Sequence, residues 1–178
     1  MAMKNKAVFG IYKTRLQVDE AVARLRIEGF RNTDISVLFP ESLGNKDFAH
    51  KKDTKAPEGA TTGGGSGAVI GGALGWLVGI GALAIPGVGP FIAAGPIMAA
   101  LAGAGIGGTV GGIVGALVGM GIPEYEAKRY EGHVRKGGIL LSVHCDDSTL
   151  VSRAKELLKD TGAQDISASG EVPVHAER

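Results

Sequence analysis

The sequence predicts an α+β fold in which two split β-α-β halves close one ferredoxin-like sheet around a long uncharged insert. Three observations lead there. The two ends of the chain repeat the order strand, helix, strand, and even the entry to their last strands recurs, as "TDIS" at 33–36 and "QDIS" at 164–167. Between Ala60 and Ile122 there is no Asp, Glu, Lys, Arg or His, so all 19 Lys and Arg and all 18 Asp and Glu lie outside that window. Inside it, glycines return at every fourth residue.

Taken in order, "AVFGIY" at 7–12 reads as a strand with Val8, Gly10 and Tyr12 on one side. After "KTRLQ", the run containing Asp19, Glu20, Ala21, Val22, Leu25 and Arg26 is an amphipathic helix that stops near Gly29, a natural residue to follow a helix end. "DISVLFP" from Asp34 is a second strand closed by Pro40. At the far end, "GILLSVH" (138–144) alternates as a strand. "DSTLVSRAKELLKDTG" then places Ala154, Leu157 and Leu158 on the inner side of a helix, and "AQDISASG" is the last strand. One helix on two strands leaves half of its core uncovered, so the halves belong to one ferredoxin-like sheet. The expected organisation is a first half at 1–40, a polar flexible linker at 41–62 and the apolar insert at 63–122. A connecting helix at 123–137, a second half at 138–172 and a tail at 173–178 complete it.

Within the insert, Gly63, Gly67, Gly71, Gly75 and Gly79 form one ladder and Gly103, Gly107, Gly111, Gly115 and Gly119 form another. Residues four apart share a ridge on an α-helix, so each ladder is a smooth groove for a second backbone, the small-xxx-small device of membrane helix pairs. Pro86, Pro90 and Pro96 interrupt the run between them. The insert therefore predicts a glycine-zipper helical hairpin over 64–85 and 96–121, with arms longer than the ~20 residues a bilayer span requires. In water each interior glycine costs about 0.8–1.0 kcal/mol of helix stability against alanine, a cost that lipid overrides by leaving the backbone no other partner. Lys51, Lys52 and Lys55 before the insert and Lys128 and Arg129 after it put positive charge at both ends, as expected of a domain on the cytoplasmic face of an inner membrane. Burial of the hairpins within a soluble cytoplasmic assembly is the alternative.

A formal net charge of +1, with bases interleaved among acids in "DEAVARLRIEGF" and "SRAKELLKD", argues against a nucleic-acid partner. The single cysteine, Cys145, excludes an internal disulfide, and "MAMKNKAVFGIYK" has no secretory signal pattern. "GAGIGG" at 103–108 fits a dinucleotide fingerprint in letters only, lacking the preceding strand and the following acid, and "GATTGGGSG" lacks a phosphate-loop lysine. In "HCDD", His144 and Cys145 are adjacent on a strand and face opposite ways, so they do not share a metal. His50, His133 and His175 read as isolated surface residues. No catalytic, cofactor-binding or metal-binding set emerges, and the expectation is a protein that is not an enzyme.

"IPGVGPFIAAGPIMAALAGAGIGG", "GALVGMGIPEYEAKRYEGHVRKGGILLSV" and the opening "AVFGIYKTRLQVDEAVARLRIEGF" resemble the bacterial general stress protein 17M-like and low-temperature-induced families. That resemblance implies a stress-linked protein without assigned catalytic residues. The resulting functional expectation is a homo-oligomer whose glycine-zipper hairpins enter or pack on membrane lipid, with Gly71, Gly75, Gly107 and Gly111 at the helix contacts. A soluble self-assembling particle with an apolar cargo and a small-ligand sensor are the alternatives. "IPEYEAKRYE" reads either as a lever between hairpin and sheet or, more simply, as an amphipathic helix lying on the sheet.

Overall fold

The computed structural model describes residues 6–40, 81–85, 89–94, 97 and 112–170. Their elements are β1 (Lys6–Tyr12), α1 (Arg15–Ile27), a 3-10 turn (Asn32–Asp34), β2 (Ile35–Pro40), β3 (Gly81–Ile85) and β4 (Gly89–Ala94). These are followed by α2 (Gly112–Gly119), α3 (Glu124–Arg135), β5 (Ile139–Cys145), α4 (Ser148–Asp160) and β6 (Gln164–Gly170). The architecture is α+β with one antiparallel sheet in the order β3-β4-β2-β5-β1-β6. The ends of the chain supply β1, β2, β5 and β6; the insert adds β3 and β4 outside β2.

α1 and α4 are each started by a side-chain cap. Thr14 and Asp147 sit in extended conformation just before α1 and α4, and their side chains accept from Gln17 N and Leu150 N, satisfying donors that the first turn leaves unpaired. Gly29, with φ of +92°, lets the chain leave α1 in the left-handed region, where its N–H donates to Arg26 O. Gly10 has another reason to be glycine: a Cβ there would meet Ala163 Cβ and Leu158 Cδ2 at 3.0 Å, so both side chains would have to give by a few tenths of an ångström.

Both faces of the central strands are buried, which explains why β1 and β5 are apolar almost throughout. On one face Val8, Tyr12, Val37, Leu141, Val143 and Cys145 pack with Val18, Val22 and Leu25 of α1 and Val151, Ala154, Leu157 and Leu158 of α4. On the other, Ala7, Phe9, Ile11, Leu38 and Leu140 pack with Ile97, with Ile113, Val114, Ala116 and Leu117 of α2, and with Ala127, Tyr130 and Val134 of α3. α3 thus lies on the sheet as an amphipathic helix and is not a lever.

The expected helical hairpin is corrected where the insert is described. Residues 81–85, placed at the end of the first helical arm, form β3, and Pro90, placed in the turn, lies in β4 opposite Ala84. β4 pairs with β2 from Val37↔Ala94 to Pro40↔Phe91. The cause is β2 itself: five of its six residues are buried, and without β4 its outer edge would leave N–H and C=O groups unpaired. Within the second arm, Ile97 and Gly112–Gly119 are the described α-helical residues. Gly63, Gly67, Gly71, Gly75, Gly79, Gly103, Gly107 and Gly111, together with Pro86, Pro96, Lys51, Lys52 and Lys55, lie outside the described residues. Among the described residues no helix is long and apolar enough to cross a membrane.

Tyr12 ties the two halves together. Its hydroxyl lies 2.7 Å from Thr161 Oγ1 at the end of α4, and burial pushes its pKa from 10.0 up to about 12. A folded-state pKa above the unfolded value means that the stabilisation is complete below pH 10 and is lost as pH rises towards 12. Tyr12→Phe is expected to lower stability by about 0.5–1.5 kcal/mol at pH 8. It should also flatten the alkaline fall in denaturant midpoint relative to the parent protein. An identical alkaline slope in both proteins, measured by urea titration at pH 8 and at intervals above pH 10, would show that Tyr12 is not the group responsible.

Candidate functional site

The densest cluster of polar side chains among the described residues joins α3 to the edge strand β6. The helical spacing of Glu126, Arg129, Tyr130 and His133 brings these side chains onto neighbouring turns of one face, beside Asp165, Ser167 and Ser169 of β6. The Asp165 carboxylate receives His133 Nε2 at 2.6 Å and Arg129 Nε at 3.6 Å. Its carbonyl accepts from the Tyr130 hydroxyl at 2.8 Å. The same hydroxyl is 2.6 Å from Ser167 Oγ, which donates to Glu126 Oε2 at 3.1 Å. Tyr125 donates to the other Glu126 oxygen at 3.0 Å, and Ser169 Oγ donates to Gly121 O at the bend between α2 and α3.

Asp165 is the only non-glycine residue among those described with a positive φ, +51°. Asp tolerates this region because its short side chain finds local hydrogen-bond partners, and here the carboxylate and carbonyl are both engaged by α3. The register of β6 on β1 shifts between Phe9 and Ile11 at the same place. Arg129 also lies over the Tyr130 ring, 5.9 Å from its centroid, and Phe9 meets that ring at 6.1 Å.

Chemically the arrangement is a clamp. Burial raises the Tyr130 pKa, which keeps the phenol protonated and able to donate. Ser167 bonds to Tyr130 and Glu126 and has no hydrogen bond to His133, so the residue types of a serine triad are present without its geometry. Among the described residues, no group of three or more His, Cys, Asp or Glu side chains is placed to hold a metal. Cys145 is fully buried with the α1 and α4 cluster. His144 lies on the other side of β5, with Nε2 3.1 Å from Asp146 Oδ1.

The structure also places the remaining described site residues. Gly115 and Gly119 lie in α2, and a Cβ on Gly119 would meet nothing within 4 Å. Lys128 pairs with Glu124 at 2.7 Å, an exposed contact that raises its pKa and lowers that of Glu124. Arg129 turns to Asp165. His133, expected to stand alone, belongs to the clamp. The recurrence of "QDIS" singled out Asp165, but no local signal linked it to α3.

Tyr130→Phe removes one hydroxyl and leaves the ring packing intact. The expected result is a loss of about 1–2 kcal/mol, with faster amide exchange along Gln164–Gly170 while the β1–β5 pairing keeps its protection. Uniformly faster exchange throughout the sheet would refute a local clamp.

Neither the curated proteins nor the solved structures compared with this chain contain a significant match. A protein-family model described as "ActD: Alternative complex III, ActD subunit" matches residues 6–168. That match overturns the resemblance to general stress protein 17M-like and low-temperature-induced proteins, and with it the stress function. It also replaces the expected homo-oligomer, since a subunit of alternative complex III works with other kinds of subunit. Alternative complex III is membrane-associated in bacteria. With both ends of the sheet and its α3 layer inside the matched span, this chain belongs to the ActD family, the alternative complex III ActD subunits.

Proposed function

We propose that this chain is a non-catalytic docking subunit of an alternative complex III, a respiratory electron-transfer assembly. The family match over residues 6–168 carries that reading. The geometry supports it through what the polar groups already do: the hydroxyl, imidazole and carboxylate groups of the α3–β6 clamp bond to one another. Such groups stiffen a scaffold and present no reacting atom to a substrate.

In this reading the domain is ferredoxin-like, supported by the β2-β5-β1-β6 order, by antiparallel pairing throughout, and by α1 and α4 sharing one face. We place it on the cytoplasmic face of the inner membrane. The support is the basic residues Lys51, Lys52 and Lys55 on one side of the uncharged Ala60–Ile122 stretch and Lys128 and Arg129 on the other. The ion pairs of Lys128 and Arg129 with Glu124 and Asp165 reduce the weight of the second group.

The test is affinity capture of the tagged full chain from detergent-solubilised membranes. Stoichiometric recovery of the other alternative complex III subunits is expected, and recovery of the chain without them would sink the assignment. In the captured complex, His133→Ala and Ser167→Ala should leave the electron-transfer rate per assembled complex within about twofold of the parent. A fall of ~10²-fold or more, the size that general acid–base participation contributes, would show that the chain is catalytic.

A further inference from the structure

The outer face of α1 carries an apolar stripe that the fold does not use. Leu16 is 79% exposed and Ile27 83% exposed. With half-buried Ala23 between them, they recur at i, i+7 and i+11, within a narrow arc of one helix face and over roughly 16 Å of its length. Their neighbours on that face, Glu20 and Arg24, pair with each other at 2.7 Å, so the stripe carries little net charge.

At the Ile27 end the stripe runs into an open groove of about 310 Å³ between α1 and α4, with Leu157 at its base. The charges around the groove do not balance. Arg24 is held by Glu20, and Arg153 by Glu28 at 2.9 Å. Glu156 and Asp160, one turn apart on α4, line the same groove and have no ion-pair partner among the described residues. Two like charges four residues apart disfavour a helix unless something compensates them.

We infer that this face docks an amphipathic helix of a neighbouring alternative complex III subunit, its apolar seam on Leu16, Ala23 and Ile27 and its Lys or Arg side chains facing Glu156 and Asp160. The inference rests on the docking-subunit reading above and adds to it the surface and the chemistry of the partner. Two features decide the kind of occupant: the seven-and-four spacing, which matches one side of a helix pair, and the unbalanced pair of carboxylates, which selects a cationic flank. An extended strand would find no free backbone edge there, because α1 and α4 satisfy their own.

The test uses the full chain in the membrane-bound assembly with a photo-crosslinking amino acid at position 27, followed by capture and identification of the crosslinked peptide. The expected product is an adduct to one complex subunit within a helical segment whose apolar positions recur at three- and four-residue intervals beside Lys or Arg. Glu156→Lys combined with Asp160→Lys should cut the adduct yield about tenfold. Both positions are exposed, so the thermal midpoint of the isolated chain should stay unchanged. No adduct from an intact complex, an adduct to an acidic or extended segment, or an unchanged yield after charge reversal would each overturn the inference. If the parent chain itself fails to co-purify with the complex, the docking-subunit reading falls and this one falls with it.

Discussion

The structure depends on covering both faces of the β1–β5 pair at once. Val8, Tyr12, Leu141 and Val143 point into one apolar cluster, and Ala7, Phe9, Ile11 and Leu140 point into the other. Burying a large side chain of this kind contributes on the order of 1.5–3 kcal/mol, so a sheet left open on one side would forfeit several such contributions. α1 and α4 come from the sequence beside the strands they cover. On the second face only α3, just before β5, has that origin, and the layer is completed by α2 and Ile97 from the insert. The long insert is therefore not an appendage to a finished domain, since it ends by delivering half of the covering layer and also pairs the outer edge of β2.

That dependence separates what was legible in the sequence from what was not. The helix starts at Thr14 and Asp147 and the stop at Gly29 are local signals, each using a side chain or a backbone conformation within a few residues of the helix end. The strands of the two halves were legible for the same reason. The two-sided burial of β1 was available in "AVFGIY", which has no polar position at all, yet reading it for alternation put only Val8, Gly10 and Tyr12 to use. A run without polar positions is the pattern of a strand covered on both faces. The candidate site was half legible: Asp165 was marked by the repeat, while His133 and Arg129 reach it only because the second cluster seats α3 across the sheet.

The error in the insert has a different origin. A short apolar run with no polar punctuation has the same appearance in a buried strand and in a buried helix, and its periodicity does not choose between them. Continuation from the glycine ladder before them predicts helix for residues 81–85. What decides their conformation lies elsewhere in the chain, in the unpaired edge that β2 would otherwise present. Tertiary demand of this sort overrides local propensity wherever an edge strand is apolar and buried.

The repeated "DIS" shows how similar local sequence acquires unequal roles. At the entry to β2, Asp34 accepts from the backbone N–H and guanidinium of Arg31, three residues back, and closes a 3-10 turn of its own. Arg31 reaches on to Asp146, so this corner is held by charges close to the sheet end. At the entry to β6, the equivalent Asp165 takes a positive φ and is held by a helix from the opposite layer. The first contact survives on local chain alone; the second exists only when α3 is in place. β6 is an edge strand with one neighbour, and its attachment to α3 through Tyr130, Asp165 and Ser167 supplies the tether that a second neighbouring strand gives β1. The polar side chains of the α3–β6 clamp thus hold the layers of the domain together.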